Sequence, residues 1–409
     1  AHVLYDILVP VTDFGTGSST ISQDEVKNAN LISIWDLNFT KKLLAIDNDY
    51  YLDTFDSGAI FQYYDLSGAE EDVARVNEKL SQSIANFPDR DTVFTFAQTG
   101  VTALSREMNL KLNQVGDGAY FAKNIGSLLS SFDKTHTSNE SSFSTNAPSD
   151  SHTSTICSLP GMIDTLTSIG VDIIELTGNH NQDCGDQAAL DTIAKYQELG
   201  IETVGGGKTA AEAAIPLKIS EKGTNITMLA YNLSTGGYTL DATPGANFYT
   251  EEKALADIAS AKERGDFIII DIQFNECNSY VNTKEDTTCD YADSSAAYTG
   301  HGSQSTFFRH LIDLGANVVV GTSAHQPQTF ELYGDGAIYY GLGNLFFDQT
   351  WWPGTTRSLV LVHYFYKGEL LQTRIIPTVY DSTYQTKLMN TDAAASFIDR
   401  LYSARPGEQ

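Results

Sequence analysis

Residues 315–349 read GANVVVGTSAHQPQTFELYGDGAIYYGLGNLFFDQ. Within them a run of β-branched residues, NVVVGT at 317–322, ends in Thr322-Ser323-Ala324-His325. The next two apolar runs, TFEL and AIYYGL, meet at the turn Tyr333-Gly334-Asp335-Gly336. A continuous apolar run without alternation is a strand covered on both faces, and two short runs about a Gly-Asp-Gly turn make a hairpin. The stretch therefore marks the place where an alternating α/β core gives way to antiparallel strands. Working back from it, similar runs recur at 267–274 (FIIIDIQF), 225–231 (NITMLAY), 201–204, 171–176 (VDIIEL) and 92–99 (TVFTFAQT). Helices are expected between them at 304–314, 251–264, 186–199 and 120–132, covering the sheet on both faces. Working forward, SLVLVHYFY and LLQTRIIPTVY flank a second tight turn at Lys367-Gly368. THTSNE at 135–140 reads as one more short strand, and the Ser/Thr/Asn/Asp-rich residues 141–154 as a flexible surface loop.

Residues 1–90 have a different texture. Short apolar runs (ILVPVTDF, KKLLAID, AIFQYYDL) are followed by an amphipathic stretch with Val73, Val76, Leu80 and Ile84 at helical spacing. The cluster NFPDRD at 86–91 stops that helix and reads as a linker. Three units are expected: a small N-terminal α+β domain at 1–90, the main α/β domain at 91–380, and a C-terminal helical tail at 381–409 packing on it.

Composition narrows the function. With 25 Lys+Arg against 52 Asp+Glu the net charge is −27, which disfavours nucleic acid and anionic membrane surfaces as partners. A chain that is 41% hydrophobic and 11% aromatic has the apolar mass for large cores. No run of 18 apolar residues appears, so no transmembrane helix is expected. The chain opens at Ala1 directly into a strand-like run and is read as a mature or trimmed form whose leader or lipid anchor would leave no trace. The four cysteines form no CxxC pair, which argues against a zinc knuckle. Two disulfides are expected, Cys277–Cys289 across a polar loop and Cys157–Cys184 near the starts of consecutive helices, with four free thiols as the alternative.

Chemistry-bearing residues gather where strands end, and in open α/β sheets ligands bind outside those carboxyl ends. VDIIEL runs into Thr177-Gly178-Asn179-His180-Asn181-Gln182-Asp183, with Gly178 expected to allow a sharp turn. FIIIDI runs into Gln273-Phe274-Asn275-Glu276, NVVVG into Thr322-Ser323-Ala324-His325, and the 135–140 strand into Ser138-Asn139-Glu140. An Asn-His turn that merely caps a helix is the plain alternative at any single one of these ends.

TGNHNQDCG, SNESSF and the 315–349 stretch together resemble the CapA family of bacterial poly-γ-glutamate capsule synthesis proteins. That family's fold is similar to calcineurin-like metallophosphoesterases. The resemblance covers roughly residues 91–380, and only loosely 1–90. It implies an α/β, metallophosphoesterase-type sandwich with a metal site at the strand ends. The family's ligands come from a Gly-Asp, a Glu in Asn-Leu-Glu, an Asn-His pair, a His in His-Trp-Gly and a Gly-His-x-x-His. Here Glu140, Asn179, His180 and His325 match, with Asp183 following as in the family. Gln98-Thr99 stands where the Asp belongs, and Gln273 and Thr322 replace two His. Neutral amides and hydroxyls bind transition metals weakly. No cofactor is therefore expected, and at most one divalent ion, held by Glu140, Asn179, His180 and His325.

The resemblance implies a cell-surface or secreted protein in capsule or poly-γ-glutamate biosynthesis, working with the capsule synthesis machinery. Its site would run hydrolytic or transfer chemistry on an anionic polymer or peptide-like ligand. Glu140, His180 and His325 are the expected catalytic groups. Asn139, Asn179, Asp183, Gln273, Glu276, Ser323, Asn344 and Asp348 are the expected ligand-binding or supporting groups. A non-catalytic binding module on a degenerate phosphoesterase fold is the alternative, and a working metal-dependent phosphoesterase the third reading. Trp351-Trp352 is expected to pack under its loop, with stacking on a sugar or partner as the other option. His136, His152, His301 and His310 are expected to be solvated.

Overall fold

The computed structural model describes residues 8–16, 20–21, 30–33, 41–43, 45–46, 92–150, 153–233, 237, 241–274 and 302–406. Two sheets pack face to face. The larger has eight strands, in the order Glu202–Val204, Ile173–Glu175, Lys134–Asn139, Val93–Thr102, Arg357–Tyr366, Glu369–Val379 and Lys387–Leu388. Asn344–Phe346 pairs in parallel with Val93–Thr102 off that path. The smaller runs Leu217–Glu221, Thr224–Asn232, Phe267–Gln273, Val318–Gly321, Gly336–Tyr339 and Phe330–Tyr333. In both, the strands read as continuous runs are parallel to one another. The Phe330–Tyr333 and Arg357–Tyr366/Glu369–Val379 pairings are antiparallel hairpins.

The two-residue period of a strand decides what each face meets. Along Phe267–Gln273, Ile268, Ile270 and Ile272 share a core with Ile258 of helix Glu251–Arg264 and with Phe307, Phe308 and Leu311 of helix Gln304–Leu314. Ile269 points the other way, into a core with Phe94, Phe96, Val318 and Val320. Val93, Val360, Val362 and Tyr364 line the outer face of the larger sheet, with Met108, Leu112, Phe121 and Leu166. Each sheet therefore has helices on one face and the other sheet on the second, where the sequence suggested helices on both. A strand run cannot distinguish these, because an apolar partner of either kind demands the same residues.

Helix boundaries follow local chemistry. Thr250 accepts from Lys253 N and Ser303 from Thr306 N at the starts of the two long helices, and Gly265 and Gly315 end them at φ 74° and 120°. The helix expected at 120–132 is broken instead into a short 3₁₀ turn, Gly118–Ala122, and one turn of helix, Gly126–Leu129. A helix at Glu107–Val115 went unanticipated. Residues 141–154 are not simply a surface loop. Ser141 and Ser142 are buried, and Ser142–Phe143 pairs with Cys157–Ser158.

In the N-terminal region, Leu8–Asp13 pairs with Asn30–Ser33 and Lys41–Leu43. Phe14 sets its ring against Phe330, Tyr339 and Tyr402. The expected 70–84 helix, the linker, Glu276, Cys277, Cys289, His152 and His301 lie outside the described residues. Near the C-terminus, helix Thr391–Ser403 buries Phe397, Ile398 and Leu401 in the core between the sheets. Among the described residues no helix is long and apolar enough to cross a membrane.

Candidate functional site

Three strand ends meet. Glu140 leaves the Lys134–Asn139 strand with its N–H on Thr102 O at 2.9 Å, and it is almost wholly buried. The chain beyond Ile173–Glu175 passes tightly against it. A Cβ on Gly178 would come within 2.8 Å of Glu140 Cα and Cγ. Glycine is needed here for close approach, and Gly178 is not among the positive-φ residues that a left-handed turn would require. Asn181 fastens this turn by donating to the carbonyls of Leu176 and Gly178 at 2.8 and 3.0 Å. At the end of Phe267–Gln273, Gln273 Nε2 donates to Asn179 Oδ1 at 3.1 Å and to Glu140 Oε1 at 3.4 Å. Gln273 Oε1 is buried without a hydrogen-bond partner.

His180 and His325 complete the cluster. Asp183 Oδ2 accepts from His180 Nδ1 at 2.8 Å and from Ile156 N at 2.7 Å. Burial works against a charged His180. The Asp183 hydrogen bond and the Glu140 and Asp183 charges outweigh it and hold the pKa above the usual histidine value, with His325 acting in the opposite sense. His325 Nδ1 lies 2.8 Å from Asn344 Oδ1. Asn344 must present its oxygen there, because its amide nitrogen lies 3.1 Å from the Thr355 carbonyl, which can only accept. Neutral His325 therefore carries its proton on Nδ1 and its lone pair on Nε2, which suits a proton acceptor. A disulfide, Cys157–Cys184 with Cα atoms 6.2 Å apart, clamps the segment carrying Asp183 to the one carrying Ile156.

The other expected residues take different places. Asn139 uses its amide on Ser141 O and Tyr196 OH, both at 2.8 Å, on the opposite face of its strand from Glu140. Asp348 is buried and paired with Arg106, whose guanidinium also lies over the Phe347 ring at 4.8 Å. Ser323 is buried beside Thr322, whose hydroxyl has no hydrogen-bond partner. Trp351 is 45% exposed rather than packed under its loop, and it meets Trp352 edge-on at 5.4 Å. His310 is half-exposed and bonded to Glu251 at 2.8 Å.

The set does not fit a binuclear metal centre. Such a centre needs bridging carboxylates and several imidazoles. Here the N–H group of Gln273 is directed at Glu140 and Asn179, two of the oxygens that an ion would require.

His136 is the main correction to the sequence reading. It is fully buried, not solvated. It faces the other sheet, on the same row as Ser138 and Glu140, and joins Glu175 and Asp271, which the sequence reading passed over. Asp271 Oδ2 lies 3.2 Å from His136 Nε2, and Gln98 Nε2 donates to Asp271 Oδ1 at 2.5 Å. Gln98 Oε1 lies 3.3 Å from His363 Nε2, whose other ring nitrogen meets Thr373 Oγ1 at 2.8 Å. Burial and the neighbouring Asp271 push the Glu175 carboxyl up to about 8. Burial, reinforced by His136, pushes His363 down to about 3. The signal was present in the sequence: Asp271 stands on one row with Ile269 and Gln273, and a charge on an inward row of a covered strand needs a partner.

Residues 95–349 match the family described as Bacterial capsule synthesis protein PGA_cap. "Capsule biosynthesis protein CapA" of Bacillus anthracis is 24% identical over 200 residues, which cover 47% of this chain and 44% of that protein. "PGA biosynthesis protein CapA" of Bacillus subtilis is 26% identical over 205 residues, 49% of each. The chain spans about half the length of the curated relatives it matches. Among solved structures, NAD nucleotidase of Haemophilus influenzae overlays with a TM-score of 0.34 at 12% identity, covering 77% of this chain and 57% of that one.

Proposed function

Because this chain belongs to the bacterial capsule synthesis protein PGA_cap family, whose calcineurin-like sandwich it shares, we propose that it acts in capsule or poly-γ-glutamate biosynthesis. In this reading the strand-end cluster binds an anionic, amide-bearing polymer without a binuclear metal centre. The names of the Bacillus relatives support the process. One observation carries the site: Glu140, Asn179 and Gln273, from three separate strand ends, form one hydrogen-bonded group. A His180 with a raised pKa offers a cation to a ligand carboxylate, and the unpartnered Gln273 Oε1 offers an acceptor to a ligand amide N–H. Glu140, His180 and His325 are the groups that would move protons. Export or display at the cell surface belongs to the same proposal and is supported by the Cys157–Cys184 bond. So does the division of the chain near residue 90.

A non-catalytic binding module is favoured by one specific feature: the Gln273 amide ties Glu140 and Asn179 to each other. Calorimetric binding of a poly-γ-glutamate oligomer, set beside thermal unfolding and mass analysis of the oligomer, separates the readings. His180→Ala is expected to weaken binding at least about tenfold, as loss of a charge-assisted hydrogen bond does, with the fold intact. Shortened oligomer would make the site catalytic, and binding without shortening would make it a recognition site. A His180→Ala protein that melts early yet binds normally would overturn the assignment.

A further inference from the structure

The space between the sheets holds a second cluster, and its donors are arranged as a metal would need them. The ligating atoms of His136, Glu175 and Asp271 all lie within 4.8 Å of one another, and all three residues are fully buried. Each carboxylate has one oxygen fixed by the protein. Thr177 N donates to Glu175 Oε1 at 2.8 Å, and Gln98 Nε2 to Asp271 Oδ1 at 2.5 Å. The second oxygen of each, Glu175 Oε2 and Asp271 Oδ2, has no hydrogen-bond partner, nor does either ring nitrogen of His136. The 3.2 Å approach of His136 Nε2 to Asp271 Oδ2 lacks the alignment of a hydrogen bond.

We propose that His136, Glu175 and Asp271 form a buried site for one divalent transition-metal ion that ties the two sheets together. An unsatisfied buried polar atom is costly, and one cation facing Glu175 Oε2, Asp271 Oδ2 and one ring nitrogen of His136 would satisfy all three. Two carboxylates and an imidazole give a donor set of one nitrogen and two oxygens with charge for a divalent ion, the chemistry of Zn²⁺ or Mn²⁺. Ligands about 2.0–2.2 Å from such an ion stand roughly 3.3–4.3 Å apart, so a small movement of the side chains closes the shell. Gln98 and Thr177 orient the two carboxylates, as outer partners of metal ligands do. Ser138, on the same row as His136, has its hydroxyl beside Glu175. His136 and Glu175 belong to the larger sheet and Asp271 to the smaller. The site is not the strand-end cluster. Asp271 lies two residues before Gln273, about 7 Å further in along the strand. The inference stands apart from the capsule reading, because it concerns how the sandwich is held.

The test is metal analysis of the full chain produced with added Zn²⁺ or Mn²⁺ and then desalted against EDTA. The expected result is about one equivalent per chain, released only on unfolding because the site is sealed. The equivalent should remain in a His180→Ala, His325→Ala variant and disappear from a Glu175→Gln, Asp271→Asn variant. Since the second variant risks misfolding, wild-type chain is also refolded with metal or with chelator. A higher melting temperature and better recovery with metal are expected. Less than about 0.1 equivalent together with identical refolding in both conditions would overturn the proposal and leave the cluster held by protons alone. So would loss of the metal in the His180→Ala, His325→Ala variant, which would move the ion to the strand ends.

Discussion

The strand-end cluster and the cluster between the sheets are built from the same kinds of side chain, and two strands contribute to both from one row each. His136, Ser138 and Glu140 are successive inward positions of one strand and its end, as are Asp271 and Gln273 of another. They differ in their surroundings. At the strand ends His180 and Asp183 are partly open, so water shares the cost of their charges and local pairing is sufficient. Between the sheets groups of the same kind are fully buried, and several of their atoms have no hydrogen-bond partner. One polar row can thus be satisfied by local pairing where it emerges and be left with unsatisfied atoms where it is enclosed, because low dielectric raises the cost of every missing partner.

Removing a carboxyl from the enclosed cluster should have the largest effect. Asp271→Ala leaves the buried Gln98 Nε2 without its acceptor and opens a cavity between the sheets, which together cost about 3–5 kcal/mol. Denaturant unfolding measures it, and a variant as stable as the wild type would break the comparison. Next is the bond that clamps the strand-end region. Cys157–Cys184 closes a segment with a sequence separation of 27, and its removal in a Cys157→Ser, Cys184→Ser variant is expected to cost about 3 kcal/mol. Thiol counting on denatured, unreduced protein checks that the bond exists.

The pH response should separate the two regions further. The folded pKa of His363 is depressed to about 3, below its unfolded value near 6.5. Its contribution to stability is therefore present above about 6.5 and is lost as pH falls toward 3, because the unfolded chain takes up a proton that the folded chain refuses. His363→Gln should make the pH dependence of stability shallower in that window by up to about 1.4 kcal/mol per pH unit. An unchanged slope in paired denaturant titrations would show that burial of His363 is not what resists its protonation. The smallest effect is expected for His180→Ala, about 1 kcal/mol or less, because its pairing with Asp183 is partly solvated. A much larger loss, read from the same unfolding curves, would make this histidine part of the scaffold.

Much of the α/β order was legible along the chain. The isoleucines of 267–274 and the valines of 317–322 required covered strands. The helices expected at 251–264 and 304–314 have those bounds in the structure, where Thr250, Ser303, Gly265 and Gly315 cap them. The strand-end residues Glu140, Asn179, His180, Gln273 and His325 could be picked out because strand ends are where ligands bind. The C-terminal run at 357–379 was readable as a hairpin from its tight turn. What covers each strand face was not readable, since a helix and a second sheet demand the same apolar residues.

The sequence by itself determined which residues stand on each strand row, because side-chain alternation is a property of the local backbone. Only the tertiary structure decided that the inward rows of two different sheets face each other. His136 looked solvated in a polar run, and Glu175 and Asp271 drew no attention among apolar neighbours. The three come together because distant strands are stacked, with Asp271 more than a hundred residues from His136. Local sequence carries no record of a partner that arrives from the other sheet, and the stacking of the two sheets is what gathers three ordinary polar side chains into one buried cluster.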